Sequence, residues 1–234
     1  MPVHIMAKEG DIAENVIVVG DPLRAKMLSQ LLDNPSLVNE NRCLLTYTGK
    51  WRGNNVTIAT HGVGAPSAAI VFEELAQLGA RNIVRLGTAG GVGDAVEVGS
   101  IVVGDSVSTY LGGCSLAQYF GRYIPPLAPS HTLLHKIIDI FNKHDIKYLV
   151  GSVFCSDAFY AETPELEGDL RRMGVLAIEM ETGILYALAR KNRLNALSIL
   201  LVSNKLGSHE FLDKQRMEAV FKKIASLTLE ALTL

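Results

Sequence analysis

The stretch NVIVVGDPLRAKMLSQLL, residues 15 to 32, brings two sequence patterns together at one turn. Its first part is a short run rich in Val and Ile that ends at Gly20, and such a run predicts a buried strand. Asp21 and Pro22 then supply an N-cap and a first helical residue, which predict a helix directly after the strand. A buried strand that passes at once into a helix is typical of α/β folds.

The same alternation continues along the chain. Further strands are predicted for NVTIATHG (55 to 62), NIVRLGT (82 to 88), GSIVVGDSVS (99 to 108), VLAIEM (175 to 180) and ALSILLVS (196 to 203). Helices are predicted to begin at Pro66, Pro164, Thr182 and Lys214 and after Ser130, with Gly79 and Gly174 as stop signals. We therefore expect one α/β domain over residues 1–234, with a central mixed, twisted sheet flanked by helices.

Composition and charge exclude several classes of protein. The 234 residues are 48% hydrophobic and 20% charged, which is enough for a large core, and the net charge of -2 gives no footprint for nucleic acid or membranes. No apolar run approaches the ~20 residues that span a bilayer, so we expect a cytoplasmic protein. Cys43, Cys114 and Cys155 lack metal or redox spacing, which predicts free, buried thiols and no metal site.

Two segments carry residues that are suited to binding an anion. Gly20 and Arg24 lie at the start of the first predicted helix, where unpaired N–H groups favour phosphate, although Gly-Asp-Pro is also ordinary capping chemistry. Arg85 lies in an apolar strand before a glycine-rich loop that contains Thr88. A buried arginine needs an anionic partner, and a bound phosphate or a structural carboxylate would serve equally well. Neither segment matches the patterns that bind nucleoside triphosphates or dinucleotides.

Two later segments place polar side chains at strand ends. Glu179 and Glu181 lie on one side if their strand continues through both residues, where they suit vicinal sugar hydroxyls or the acid and base of a glycosidase. Glu181 also fits as the capping residue of the next helix. Ser203 and Asn204 end an apolar strand, and Asn204 either contacts a ligand or caps a turn.

An ordered series of segments covers nearly the whole chain: PVHI, VVGDPLRAK, NENR, THGVGAPSAAI, RLGTAGG, SDAFYAE, IEMET and LVSN. Together they resemble the nucleoside phosphorylase superfamily, and within it the hexameric purine nucleoside phosphorylases and the related 5'-methylthioadenosine phosphorylases. The resemblance implies that family's fold, with a sheet that is partly barrel-like. It also implies cleavage of purine nucleosides by inorganic phosphate, which gives free base and (deoxy)ribose 1-phosphate. Phosphate is then a co-substrate, and no other cofactor is implied.

The resemblance assigns site residues by position. The phosphate site takes Gly20, Arg24, Arg85 and Thr88, with Arg42 from a neighbouring subunit. The ribose site takes Met180 and Glu181, with the adjacent carboxylate of Glu179 and with His4 from the neighbour. The base site takes Phe159, Ile178, Ser203 and Asn204, and the catalytic roles fall to Asn204, Arg85 and Glu181. Because His4 and Arg42 cross an interface, we expect at least a dimer, and the family implies a hexamer.

Asn204 bears on the choice of substrate. Many relatives have an aspartate here that protonates N7 of 6-aminopurines, which an amide cannot do, whereas an amide donates to N7 and O6 of 6-oxopurines. We therefore expect guanosine and inosine, with 5'-methylthioadenosine or adenosine as the alternative, because asparagine also pairs with the N6 and N7 edge of adenine. Arg216 matches an assisting arginine only with its spacing off by one, so we do not count it as catalytic. A non-catalytic nucleoside-binding module is the alternative from another class.

Overall fold

Nine strands form one mixed sheet in the computed structural model, which describes residues 2–208 and 210–234. They are β1 (Asn15–Val19), β2 (Asp33–Asn39), β3 (Thr46–Trp51), β4 (Asn54–Thr60), β5 (Asn82–Gly91), β6 (Ile101–Thr109), β7 (Leu149–Cys155), β8 (Ala177–Glu179) and β9 (Asn195–Lys205). The strand order is β2-β3-β4-β1-β5-β8-β7-β6-β9, and β5 also pairs with β9. This extra pairing closes the last five strands of that order into a barrel, as the resemblance implied.

Strand direction places many strand ends at one edge of the sheet. β1 is parallel to β4 and β5, and β5 is parallel to β9. β8 runs antiparallel to β5, and β6 runs antiparallel to β9. The sheet is therefore mixed, as the sequence predicted. The carboxyl ends of the parallel strands β4, β1, β5 and β9 meet at one edge, which is where ligands bind in α/β sheets.

Seven helices flank the sheet in the described part of the chain: α1 (Pro22–Ser29), α2 (Ala65–Gln77), α3 (Leu116–Phe120), α4 (His131–Lys143), α5 (Pro164–Arg172), α6 (Thr182–Asn192) and α7 (Lys214–Thr233). The predicted starts of α1, α4 and α5 are confirmed, and Asp21, Ser130 and Thr163 each cap their helix by accepting a hydrogen bond from its first turn. Gly79 and Gly174 follow α2 and α5 with φ of 110° and 72°, a conformation that favours glycine and ends a helix.

Alternate residues of each central strand pack on opposite faces of the sheet. In β1, Ile17 and Val19 join a cluster with α1, α4 and α7, whereas Val16 and Val18 join a second cluster with α2 and α6. Tyr186 of α6 is fully buried, and its hydroxyl donates to the carbonyl of Gly104 at 2.6 Å. Helices on both faces thus hold the central strands, and with them the residues at the strand ends.

The strands β2, β3 and β7 and the short helix α3 were not predicted from the sequence. β2, with the sequence DNPSLVN, is an exposed edge strand that carries a proline, and β3 and β7 lack long apolar runs. The prediction of buried thiols is wrong for Cys43, which is exposed on a tight turn, whereas Cys114 and Cys155 are buried and all three are free. No helix among residues 2–208 and 210–234 is long and apolar enough to cross a bilayer.

Candidate active site

A cavity of about 450 Å³ opens at the edge where the parallel strands end. The residue after β1, the second half of β5, and the ends of β8 and β9 all contribute to its wall. Eleven residues predicted for the site line this cavity: Gly20, Arg24, Arg85, Thr88, Phe159, Ile178, Glu179, Met180, Glu181, Ser203 and Asn204. The structure therefore brings together segments that lie far apart in the sequence.

His4 and Arg42 are not among the residues that line this cavity. The ring Nδ1 of His4 lies 2.9 Å from Oε1 of Glu74, whose carboxylate also accepts the backbone N–H of Ile5 at 2.6 Å. Burial acts to raise the pKa of Glu74, but these hydrogen bonds hold it below its ordinary value. Arg42 is exposed in a short 3₁₀ turn with φ of 53°. That a neighbouring subunit supplies both residues stays a prediction.

Arg85 has two carboxylate partners inside the protein. Its side chain extends from β5 and is 3% exposed. Nη2 donates to Oε2 of Glu181, and Nη1 lies 3.2 Å from Oε2 of Glu179. Burial alone would lower the pKa of Arg85, but the charges of Glu181 and Glu179 raise it above its ordinary value. Structural carboxylates therefore neutralise the charge of the buried arginine, while its Nε has no hydrogen-bond partner within the described part of the chain.

Glu179 and Glu181 have different surroundings. β8 ends at Glu179, whose carboxylate accepts the backbone N–H groups of Glu181 at 2.8 Å and Thr182 at 2.9 Å. Glu181 occupies the N-cap position of α6, as predicted, but its side chain makes no capping hydrogen bond, and the carboxylate of Glu179 caps the helix. Glu181 instead accepts the backbone N–H of Gly64 at 2.6 Å through Oε1. Burial raises the pKa of Glu181, although Arg85 acts in the opposite direction.

The turn from β1 into α1 combines capping with a positive charge. Asp21 accepts the N–H of Leu23 at 2.8 Å, so the capping chemistry is present, while Gly20 and Arg24 line the cavity. A Cβ on Gly20 would lie 3.1 Å from the carbonyl oxygen of Gly62, which leaves little room for a larger residue. Burial lowers the pKa of Arg24 to about 10, so its guanidinium remains charged at neutral pH.

His61 is a polar residue beside the cavity that the sequence did not single out. Its imidazole is fully buried, and neither ring nitrogen has a hydrogen-bond partner within the described part of the chain. The ring lies behind Gly20, with Cε1 3.6 Å from the position of a Cβ on that glycine. Burial, followed by the charges of Arg85 and Arg24, holds the pKa of His61 well below its ordinary value, so the ring is neutral. A lone histidine has no spacing signal that could have revealed it.

The other end of the cavity carries hydrogen-bonding side chains and an aromatic ring. Oδ1 of Asn204 accepts the hydroxyl of Ser203 at 3.1 Å, and Nδ2 of that side chain donates to no described residue. Phe159 is 58% exposed and lies edge-on to Tyr160, with ring centroids 5.2 Å apart. Glu162 also lines this wall and was not predicted, because a single glutamate in a loop carries no pattern.

The described residues hold no cluster of three or more His, Cys, Asp or Glu side chains that is arranged for a metal ion. The cavity instead combines charged arginines and a helix N-terminus with buried carboxylates, amide donors and an aromatic face. Such a site is able to hold an anion beside a hydroxylated, aromatic ligand.

Comparison with known proteins finds similar proteins over nearly the whole chain. The family described as "Phosphorylase superfamily" matches residues 14–233. The "Purine nucleoside phosphorylase DeoD-type" of Clostridium perfringens (strain SM101 / Type A) is 38% identical over 233 residues, 99% of this chain and 98% of that protein. The protein of the same name from Jannaschia sp. (strain CCS1) is also 38% identical, over 99% of both chains. The crystal structure of uridine phosphorylase from Vibrio fischeri ES114 is 30% identical, with a TM-score of 0.88 and coverage of 99% and 97%.

Proposed function

The chain belongs to the phosphorylase superfamily, and on that basis we propose that it cleaves purine nucleosides with inorganic phosphate. The products are the free base and (deoxy)ribose 1-phosphate. The observation that carries the proposal is a single cavity that joins Arg24 and Arg85 to Glu181 and Asn204. The purine relatives are 34–38% identical over nearly the whole chain, which favours a purine base over the uridine of the structural neighbour.

Phosphate would bind at the end of the cavity formed by β1 and α1. Arg24 carries the positive charge there, and Gly20 lets an anion approach the backbone closely at the turn into α1. Thr88, half-buried on β5, offers a hydroxyl to the same region. Arg85 adds a second guanidinium, which exchanges part of its contact with Glu181 for the phosphate oxygens.

Ribose would bind between the phosphate and base ends, against Glu181. Its Oε1 and Oε2 already accept from Gly64 and Arg85, and a carboxylate has further lone pairs for the 2'- and 3'-hydroxyls. Glu179 also borders the cavity, but backbone N–H groups and Arg85 already use its carboxylate. We therefore propose that Glu181 contacts the sugar and that Glu179 positions Glu181 and Arg85.

The reaction breaks the bond between C1' and the purine nitrogen. Positive charge develops on the sugar and negative charge on the leaving base, so a phosphate dianion beside C1' stabilises the transition state and then bonds to C1'. Asn204 Nδ2 would donate to N7 and O6 of the departing base, where the negative charge accumulates. The amide supplies a hydrogen bond and does not transfer a proton.

This hydrogen bond leads us to propose guanosine and inosine as substrates. O6 of a 6-oxopurine accepts from Asn204 Nδ2, and the Ser203 hydroxyl holds the opposite side of the amide. Adenosine or 5'-methylthioadenosine is the second candidate, because an amide that rotates also pairs with the N6 and N7 edge of adenine.

We also propose that the working enzyme is at least a dimer and, by family, a hexamer. His4 and Arg42 would then complete the site of a neighbouring subunit. Their surroundings suit a second copy, since Val3, Met6 and Leu37 are 69%, 70% and 44% exposed. Met6 and Leu37 line a shallow groove together with Asn41, whose side chain donates to the carbonyl of His4 at 3.1 Å.

The test is base release from inosine, guanosine, adenosine and 5'-methylthioadenosine, each with and without phosphate. Phosphate-dependent cleavage of inosine and guanosine supports both the reaction and the preference. Strong turnover of the two adenine nucleosides supports the reaction and contradicts the preference. Cleavage that ignores phosphate identifies a hydrolase, and tight nucleoside binding without turnover identifies a non-catalytic module.

A further inference from the structure

Two exposed histidines lie one helical turn apart on α4. His131 is the first residue of that helix, directly after its Ser130 cap, and His135 follows four residues later, so both imidazoles lie on the same face. Their Nε2 atoms are 3.0 Å apart, and their ring centroids are 4.2 Å apart. The residues that line the active-site cavity include none from α4. This His pair, His131 and His135, is therefore separate from the site of the proposed reaction.

The short contact restricts the protonation of the two rings. If both Nε2 atoms carried hydrogen, the hydrogens would point at each other, so one Nε2 donates and the other accepts with its lone pair. At least one lone pair is thus directed into the space between the rings. Binding of a metal ion by both atoms requires the donor ring to carry its hydrogen on Nδ1 instead. Both rings are exposed, so solvent is able to exchange this proton.

Other histidines of the chain are less available to a ligand. Nδ1 of His4 lies 2.9 Å from a carboxylate oxygen of Glu74, and Nε2 of His144 lies 3.5 Å from one of Glu230. His61 is fully buried. In the His pair, by contrast, the neighbour of each imidazole nitrogen is the other imidazole, which is itself a metal ligand.

The distance between the two Nε2 atoms distinguishes between coordination geometries. With metal–nitrogen bonds of about 2.1 Å, two cis ligands at 90° lie about 3.0 Å apart, whereas two ligands of a tetrahedral ion lie about 3.4 Å apart. The observed 3.0 Å matches the cis positions of square-planar or octahedral ions. Among divalent ions that bind imidazole, Ni²⁺ and Cu²⁺ prefer this geometry and bind nitrogen most strongly.

The sequence of the segment, HTLLH, indicates metal binding without hydrolysis. Two histidines at this spacing on a helix hold zinc in metalloproteases, where a glutamate directly after the first histidine acts as the base. Thr132 occupies that position here and offers no base. Asp139 is exposed one further turn along the same face, and its negative charge favours a cation nearby.

We propose that the His pair is a surface binding site for a divalent transition metal of the Ni²⁺ and Cu²⁺ type. The two imidazoles supply two cis ligands, and water fills the remaining positions. Because the helix holds both ligands in place only in the folded chain, bound metal stabilises the fold. The inference does not depend on the proposed phosphorylase activity.

Calorimetric titration of the metal-free, untagged full chain with NiCl₂ tests the site. The probe is Ni²⁺, because Cu²⁺ also reacts with exposed thiols such as Cys43. We expect His131→Gln and His135→Gln each to weaken binding at this site by about tenfold or more, since one imidazole loses the benefit of the second. The double variant measures binding elsewhere on the chain. His144→Gln removes an exposed histidine at the other end of α4 and keeps wild-type binding.

Thermal unfolding gives a second readout with the same proteins. At a hundredfold excess of NiCl₂ over the dissociation constant, we expect the Tm of the wild-type chain and of His144→Gln to rise by about 5 °C. The two single variants keep their metal-free Tm, and circular dichroism verifies that they are folded. Titrations of the wild-type chain and of the double variant that coincide, with equal changes in Tm, would overturn the site.

Discussion

Arg85 and Glu181 form a buried ion pair in the cavity wall, in which Nη2 of the arginine donates to Oε2 of the glutamate. The two residues are 3% and 5% exposed, and each is assigned to a different substrate: Arg85 to phosphate and Glu181 to ribose. A phosphate that draws Arg85 toward itself releases acceptor capacity on Glu181 for the sugar hydroxyls. The pair therefore links the two proposed subsites directly.

The first prediction concerns Arg85→Ala, which leaves Glu179 and Glu181 buried without their cation. We expect the free energy of unfolding to fall by about 3 kcal/mol or more, because removal of one partner leaves uncompensated buried charge. The KM for phosphate rises sharply in the same variant. Urea denaturation and phosphate saturation kinetics measure the two effects.

Two further variants control this prediction. Adding Glu181→Gln to Arg85→Ala removes one of the uncompensated charges and recovers part of the lost stability. Arg171→Ala breaks only the exposed pair with Asp94, and we expect a change within about 1 kcal/mol. Normal phosphate kinetics in Arg85→Ala would mean that the phosphate site is misplaced.

The second prediction separates Glu179 from Glu181 by the sugar. Glu181→Ala removes the proposed acceptor of the 2'- and 3'-hydroxyls, so kcat/KM falls much more for inosine than for 2',3'-dideoxyinosine. Glu179→Ala removes the cap of α6 and one of the two carboxylates paired with the buried Arg85, so both substrates lose activity equally and stability falls by more than the ~1 kcal/mol of a lost cap. Steady-state kinetics with both substrates gives the comparison. A selective loss for inosine in Glu179→Ala would restore Glu179 as a direct ribose contact.

The third prediction is that Asn204→Asp shifts preference toward adenosine and leaves phosphate affinity nearly unchanged. A carboxyl group at this position is able to protonate N7 of a 6-aminopurine, whereas the amide only donates a hydrogen bond. The ratio of kcat/KM for adenosine to that for inosine is the measurement. Asn195→Asp makes the same substitution at the other end of β9, on an exposed residue, and serves as the control. An unaltered ratio in Asn204→Asp would contradict the proposed role of the amide.

The fold was predictable wherever the signal was local. The strand and helix at residues 15 to 32 carry their own apolar run, cap and proline, and the structure confirms them. β2 is a polar edge strand, and β3 lies between β2 and β4. Both are stabilised by these pairings, so their sequences alone give little indication of strand.

The site was predictable as a set of residues but not as a set of contacts. Arg85 and Glu181 are 96 residues apart, and nothing in the sequence shows that they pair. Likewise, the capping role of Glu179 depends on β8 ending at that residue, whereas the sequence pattern suggested that the strand continues. His61 and Glu162 were missed because a single residue has no spacing, and only burial and the cavity wall reveal them.

The fourth prediction concerns stability at acid pH and rests on His61. Its pKa is held well below 6.5 in the folded protein, so between those two values the unfolded chain binds more protons. The contribution of His61 to the free energy of unfolding is therefore fully present above pH 6.5. It is lost as the pH falls toward the pKa of the folded protein, by about 1.4 kcal/mol per pH unit.

Urea denaturation at a series of pH values measures this effect in the wild-type chain and in His61→Gln. We expect the slope of stability against pH below 6.5 to be smaller in the variant, because the titrating group is gone. His135→Gln replaces an exposed histidine on α4 and should keep the wild-type slope. If His61→Gln also keeps it, His61 is not the group that makes the fold acid-sensitive.

The last prediction tests the shared site by mixing two defective chains. Arg42→Ala removes a residue that completes the site of the neighbouring subunit. Glu181→Ala removes a residue from the site of its own subunit. In a mixed dimer, the site of the Arg42→Ala chain has its own Glu181 and receives Arg42 from its partner, so one site in two is complete. We therefore expect refolding the two variants together to restore activity well above that of either alone, measured as phosphate-dependent base release. Arg24→Ala mixed with Glu181→Ala is the control and stays inactive, because both residues line the cavity of one chain. Failure of the first mixture to regain activity, with mixed oligomers verified by native mass spectrometry, would contradict the lending of Arg42 between subunits.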